Sequence, residues 1–288
     1  MEVIFMDKQN IGVCEPAVLA LGFFDGVHIG HTRLIEKAGA IAKRDELQLA
    51  VMTFYPHPKE VLAGQKFDYL MSLEAKIDKM EKLGVERLYV AKFTKEFAQL
   101  SPEQFVQEYI VDKQVKHVVA GFDYTYGHMG KGNMDMMERL GEGRFGVTVL
   151  SKVVVEDRKI SSTYIRDLLI EGEVESIKSY LGSEYVTRGI ISAGRMFPKE
   201  HGYCLFDFIS TEGTMLPREG IYRIEWDRNE QMEAALAIVY ANEENEKSVA
   251  IKVKQSKGTF PDQYPVAFRW LELLESGDRV AEKEIMYS

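Results

Sequence analysis

Cysteine is scarce in this chain of 288 residues: Cys14 and Cys204 are the only two. They lie far apart, with neither a CxxC pair nor a zinc-type spacing, which excludes a disulfide scaffold and a structural zinc knot and reads as two reduced thiols in a cytoplasmic protein. Long apolar runs are also missing. None approaches the roughly 18 residues that span a bilayer, so no membrane partner is expected. The first apolar stretch, Ala17 to Phe24, has no basic flank and no small-residue cleavage site, and runs directly into Asp25, unlike a signal peptide. Basic excess is absent as well: 36 Lys and Arg stand against 45 Asp and Glu, a formal charge of −9. That balance excludes a general nucleic-acid binder but leaves room for a local phosphate site. GxGxxG occurs once, at Gly141–Gly146, where it leads into an expected strand instead of following one and opening a helix, and GxxxxGK[ST] does not occur, so no dinucleotide fingerprint and no P-loop is present. There is no internal repeat and no low-complexity tract. What remains is ordinary globular composition, 45% hydrophobic and 28% charged, at a length that suggests two domains.

Residues 1–183 alternate short apolar runs with amphipathic stretches. Strands are expected at Val18–Phe24, Leu49–Phe54, Arg87–Ala91, Val115–Ala120 and Gly146–Val155. Between them, helices are expected at His31–Arg44, with Leu34, Ile35, Ala38, Ile41 and Ala42 on one face, at Leu73–Leu83, and at Pro102–Val111 with proline in the first turn. Strands separated by such helices imply βαβ units and a parallel sheet with helices on both faces. The pattern changes near Gly182–Glu184. In residues 184–288 the strand-like runs are closely spaced: Tyr185–Ser192, Tyr203–Ile209, Gly220–Trp226, Ala234–Tyr240 and Ser248–Lys254. These predict a small antiparallel barrel, closed by a terminal helix at Val266–Leu274 with Phe268, Leu271 and Leu274 at helical spacing. The Lys76–Lys82 run interleaves three bases with two acids at helical spacing and reads as a solvated helix face. Met134–Met137 reads as helix packing.

Chemistry concentrates where the first strand meets the first long helix, in Gly22-Phe23-Phe24-Asp25-Gly26-Val27-His28-Ile29-Gly30-His31. In an open parallel sheet, ligands bind outside the carboxyl ends of the strands. Gly26 and Gly30 let the backbone turn tightly and approach a ligand, and a helix N-terminus favours an anion. A lone histidine is ordinarily structural, and a metal pair lacks a third ligand here. His28 and His31 lie three residues apart, however, so both imidazoles can face one phosphate chain.

His28-Ile29-Gly30-His31 is the HxGH signature of the nucleotidyltransferase superfamily. The longer string from Gly22 resembles that of prokaryotic FAD synthetases, the FMN adenylyltransferase module of bifunctional riboflavin kinase/FAD synthetase. Thr53-Phe54-Tyr55-Pro56-His57-Pro58 is similar to that family's loop after the second strand. Gly121-Phe122-Asp123-Tyr124-Thr125-Tyr126-Gly127 is similar to its G-x-[DN]-[FY]-x-[FY]-G segment, and Ser161-Ser162-Thr163-Tyr164-Ile165-Arg166 to its ISSTxIR motif. The four motifs spread over about 145 residues. The resemblance implies AMP transfer from ATP, carried by Mg²⁺, to FMN, giving FAD and pyrophosphate. It implies phosphate contacts from His28, His31, Ser162 and Arg166. Ser161, Ser162 and Thr163 precede the apolar-periodic run Ile165, Leu168 and Leu169 and so cap a helix, and the same geometry gathers their hydroxyls, with Arg166 one turn in, around a polyphosphate. Gly22, Phe24, Asp25, Gly26, Gly30, Phe54, Pro56, His57 and Pro58 would shape the substrate pocket. Asp123 would bind nucleotide or flavin, directly or through magnesium, whose ligand set the sequence does not define. Tyr124 and Tyr126 either stack on a ring or pack. No protein partner is evident.

In the second half, Thr187–Ile191 resembles the opening strand of the family's riboflavin kinase barrel, and Pro217–Tyr222 a central one. The kinase turn reads G-x-P-T-A-N. The best match here, Gly202-Tyr203-Cys204-Leu205-Phe206-Asp207, has leucine at the threonine position, and Glu243, Glu244 and Glu246 carry no mark of a kinase base. The expectation is therefore an FAD synthetase with an inactive kinase-like barrel. The alternatives are a bifunctional enzyme, an adenylyltransferase for another phosphorylated acceptor, and a non-catalytic flavin-binding regulatory paralogue.

Overall fold

The structure is a computed structural model and describes residues 1–6, 15–155, 158–192, 203–211, 213–228, 231–242, 247–254 and 263–277. The chain divides into two compact units, Met1–Phe67 with Leu73–Ile160, and Asp68–Ser72 with Ser161–Ser288. The expected boundary at Gly182–Glu184 is where helix gives way to the first barrel strand. The compact units part earlier, after Ile160.

The first unit holds β1 (Glu2–Met6), β2 (Ala17–Leu21), α1 (Ile29–Arg44), β3 (Gln48–Tyr55), α2 (Pro58–Ala63), α3 (Leu73–Lys82), β4 (Arg87–Lys92), α4 (Pro102–Val106), β5 (Val115–Gly121), α5 (Met134–Gly141), β6 (Gly146–Leu150) and the short hairpin β7 (Val154–Val155) and β8 (Arg158–Lys159). Six strands form one parallel sheet in the order β1-β4-β3-β2-β5-β6. Its central strands are buried almost throughout, as expected for a sheet covered on both faces. Helix α1 buries Leu34, Ile35, Ala38, Ile41 and Ala42, the face that periodicity indicated.

Strand order locates the ligand edge. From β2 the chain proceeds outward through β3 and β4, then returns to the other side of β2 with β5 and β6. The loops leaving β2 and β5 therefore diverge, and their carboxyl ends frame the crevice of a topological switch point.

The second unit contains α6 (Ser162–Glu171), α7 (Lys178–Leu181) and six strands: β9 (Tyr185–Ile191), β10 (Tyr203–Ser210), β11 (Gly220–Arg228), β12 (Gln231–Ala241), β13 (Lys247–Lys254) and β14 (Tyr264–Ser276). The strands close into an antiparallel barrel in the order β10-β13-β12-β11-β14-β9. Closure removes exposed strand edges. Trp226, Trp270, Tyr185, Tyr222 and Phe268 fill the interior, and the Trp270 indole N–H donates to Thr187 Oγ1 at 2.8 Å.

Several expectations are corrected. The terminal helix over Val266–Leu274 does not form: those residues lie in β14, which pairs with β9 and β11 on its two sides. Val266, Phe268 and Trp270 alternate inward, while Leu274 is half exposed, so period two prevails over the apparent helical spacing. Gly146–Val155 is not one strand, since β6 ends at Leu150. Helix α4 widens into a π-type turn over Gln107–Val111. In the stretch compared with the kinase turn, Tyr203–Asp207 runs as β10, with Leu205 opposite Lys252. Gly202, Glu243, Glu244, Glu246 and Cys14 lie outside the described residues, and Cys204 is a free thiol.

Candidate active site

The turn from β2 into α1 is backbone under strain. Phe24, Gly26 and Val27 all have left-handed φ, at 54°, 76° and 41°. For a β-branched residue such as Val27 this is an outlier, and such strain persists only where the surroundings impose it. Phe24 is fully buried and lies across Gly22, where a Cβ would come within 2.8 Å of Cζ of its ring. Asp25 is buried too, at 1% exposure.

The turn ends on His28, the N-cap of α1. Its Nδ1 accepts the backbone N–H of His31 at 3.2 Å, so Nδ1 carries no proton and the neutral ring holds its proton on Nε2. Burial pulls the His28 pKa down to about 4. The His31 ring stacks on it at 3.6 Å and 11°, with the Phe24 ring edge-on to His31 at 5.2 Å. Burial, then the neighbouring His28, Lys76 and Lys79, hold His31 well below the ordinary histidine range. Its Nδ1 is buried with no hydrogen-bond partner. A Cβ at Gly30 would lie only 3.1 Å from Cε1 of His28, so the glycine leaves room for that ring. Two neutral imidazoles at a helix N-terminus can offer hydrogen bonds to phosphate oxygens without adding a fixed charge.

Beyond them lies a cavity of about 700 Å³. Gly22, Phe24 and His31 line its turn side, Phe54, His57 and Pro58 a second side, and Asp123 and Tyr126 a third. Pro56 precedes this wall without lining it. His57 caps α2 by accepting Lys59 N–H, and its backbone N–H donates to Glu60. The His57 ring stacks on Phe67 at 3.5 Å and 2°. Phe93, Phe97 and Phe105 extend the aromatic lining and were not singled out by any sequence motif. The Tyr126 hydroxyl is buried without a partner, and burial pushes its pKa up to about 12. Tyr124 also lines the cavity, so both tyrosines are wall residues. The Asp123 carboxylate is bridged to Lys159 at 2.7 Å.

Ser161, Ser162, Thr163 and Arg166 belong to the second unit. Ser161 caps α6 by accepting Tyr164 N–H at 3.2 Å, Ser162 and Thr163 open its first turn, and the Arg166 Nε–H donates to the Asp68 carbonyl at 3.1 Å.

Lysine is where the sequence misled. Lys76 is not on a solvated face: it is 3% exposed, and Lys79 beside it is half-buried. Nothing in the alternating charges of α3 distinguishes Lys76, because the carbonyl it meets is 53 residues away. Among the described residues no group of three or more His, Cys, Asp or Glu side chains could hold a metal ion, and no helix is long and apolar enough to cross a membrane.

Residues 11–164 match the family model described as FAD synthetase. The bifunctional riboflavin kinase/FMN adenylyltransferase of Listeria monocytogenes is 42% identical over 227 residues, covering 78% of this chain and 72% of the relative. That of Bacillus subtilis is 43% identical over 215 residues, covering 74% and 68%. A crystal structure described as a macrolide-efflux protein from Streptococcus pneumoniae superposes with a TM-score of 0.85 at 27% identity, covering 99% of this chain and 95% of that one. The HxGH turn at the switch point of a parallel sheet, the matched model over more than half the chain and relatives above 40% identity lead to one conclusion: the chain belongs to the FAD synthetase family of nucleotidyltransferases.

Proposed function

We propose that this chain transfers AMP from ATP to FMN, releasing pyrophosphate, and makes FAD without phosphorylating riboflavin. The observation that carries the transfer is the stacked, neutral His28–His31 pair at the start of α1, beside an aromatic cavity of about 700 Å³. A flavin ring is flat and apolar over its faces, which suits walls of Phe, Tyr, His and Pro.

The terminal phosphate oxygen of FMN attacks the α-phosphorus of ATP in line. The new O–P bond forms as the bridge to the β-phosphate breaks, and the electron pair leaves with pyrophosphate. The nucleophile is already an anion, so no strong general base is required. The protein's part is to align two anions and to stabilise charge on the phosphoryl group in flight. His28 donates from Nε2, the only proton its cap geometry leaves. His31 offers a second ring. Ser162 and Arg166, with Ser161 and Thr163, are assigned to the polyphosphate by the motif they form. Asp123, already neutralised by Lys159, is assigned to substrate contact rather than to the metal. Magnesium would enter with the nucleotide and supply charge neutralisation at the phosphates; among the described residues no cluster of three or more His, Cys, Asp or Glu could hold it, and no residue is assigned to it.

Absence of kinase activity is supported by the sequence: Pro-Thr-Ala-Asn occurs nowhere in the chain, and threonine and asparagine are the metal- and phosphate-handling groups of that turn. The names of the relatives favour the bifunctional reading instead. On the same reading, residues 1–183 are the transferase, 184–288 the kinase-like part, and the setting is cytoplasmic, in keeping with the free Cys204 thiol.

One assay with two acceptors tests both claims. FMN, ATP and Mg²⁺ should yield FAD and pyrophosphate; riboflavin, ATP and Mg²⁺ should yield no FMN. Folded protein that makes no FAD at saturating substrates refutes the transfer, and FMN formed at a rate comparable with FAD synthesis restores the bifunctional enzyme.

A further inference from the structure

Two lysines one turn apart on α3 reach the same strained turn. The Lys76 ammonium donates to the Phe23 carbonyl at 2.8 Å and to Thr53 Oγ1 at 3.2 Å. The Thr53 hydroxyl donates to that same carbonyl at 2.8 Å. The ammonium also lies 4.6 Å from the centre of the Phe23 ring. Lys79 Nζ approaches the Gly26 carbonyl at 3.4 Å. The two anchored carbonyls flank Phe24 and Asp25, and the three left-handed residues, Phe24, Gly26 and Val27, follow the first of them. Burying an ammonium is costly unless it is fully hydrogen-bonded, and a structural apolar residue would fill the same space on α3 without that cost. In some proteins a buried polar or ionic group serves to fix a unique geometry.

We propose that Lys76 is a positioning residue of the transfer reaction: it holds the Phe23–Val27 turn in the strained conformation that sets the His28–His31 pair, with Lys79 as the second anchor. This rests on the function proposed above. The groups facing Lys76 are the Phe23 carbonyl and ring, the Thr53 hydroxyl and the Asp25 carboxylate. Those facing His31 are the His28 and Phe24 rings, Lys76 and Lys79. Consistent with its surroundings, burial brings the Lys76 pKa down to about 8, with Asp25 opposing.

The test uses Lys76→Met, Lys79→Met, Thr53→Val and the double variant Thr53→Val/Lys76→Met. Lys76→Met should lower kcat by about 10²-fold, with the KM values for ATP and FMN within about threefold of wild type, because alignment is lost rather than binding. Lys79→Met should lower kcat by about tenfold. Since Thr53 and Lys76 act on one carbonyl, the double variant should be no worse than Lys76→Met alone. Independently of activity, the His31 ring-proton titration followed by NMR should move to higher pH in Lys76→Met, through loss of a nearby cation. If Lys76→Met does not fold, Lys79→Met and Thr53→Val carry the test through the kcat-against-KM split. Wild-type kcat in folded variants, multiplicative losses in the double variant, or an unmoved His31 titration would overturn the proposal. A wild-type protein that makes no FAD would instead overturn the proposed function, leaving the NMR arm to be read by itself.

Discussion

Gly30→Ala separates the stability of the site from its chemistry. Gly30 is the second residue of α1, and alanine in a helix gains up to about 1 kcal/mol over glycine. Against this, the added Cβ would sit 3.1 Å from Cε1 and 3.2 Å from Nδ1 of His28, where carbon contacts settle at about 3.5–4.0 Å. The ring must retreat by about 0.5 Å. It is held by the stack on His31 at 3.6 Å and by the N-cap bond through Nδ1, so one of these must loosen. A lost cap costs about 1 kcal/mol. Gain and loss nearly cancel, and the melting temperature followed by circular dichroism should stay within about 4 °C of wild type. The rate should not. A misplacement of about 1 Å costs about 10²-fold, so half that displacement should lower kcat for FAD formation by about tenfold. Unchanged kcat in the folded variant would refute the argument, because His28 would then not need its present position. A melting temperature lowered by more than about 10 °C would refute the claimed cancellation.

His28 should make the protein acid-sensitive. Its folded pKa of about 4 lies below the ordinary 6.5, so between those values the unfolded chain binds the extra proton, and stability falls as pH drops by up to about 3 kcal/mol. His28→Asn keeps a cap acceptor without the titration; urea midpoints at pH 7 and pH 4.5 should then differ less than in wild type, and an equal difference would contradict the assignment. Tyr126→Phe removes a buried hydroxyl that has no partner and should raise the stability of the ligand-free protein by up to about 1 kcal/mol, while raising KM for FMN; a lower melting temperature would show that the hydroxyl is already satisfied. In the barrel, Thr187→Val leaves the buried Trp270 N–H unpaired and should cost about 1–3 kcal/mol in urea unfolding; a smaller loss would mean that another acceptor replaces the hydroxyl.

Local order was legible where short-range physics decides it. The apolar runs of β2, β3 and β5 and the face of α1 follow from periodicity, and Gly22 to His31 marks a strand-to-helix turn at the ligand edge because its glycines and histidines fall within one ten-residue segment. Ser161 as a cap is equally local, since the side chain accepts from a residue three positions on. Three features were decided only by the tertiary structure. Val266–Leu274 satisfies helical and strand spacing alike, and pairing with β9 and β11, distant in sequence, selects the strand. Phe93, Phe97 and Phe105 become a cavity wall only because strand order brings the loops after β2, β4 and β5 to one crevice. Lys76 looks like any solvated lysine beside acids on a helix. It is buried because the turn before α1 presents a carbonyl that no neighbour in sequence can satisfy, and a buried acceptor takes its donor from wherever the fold supplies one.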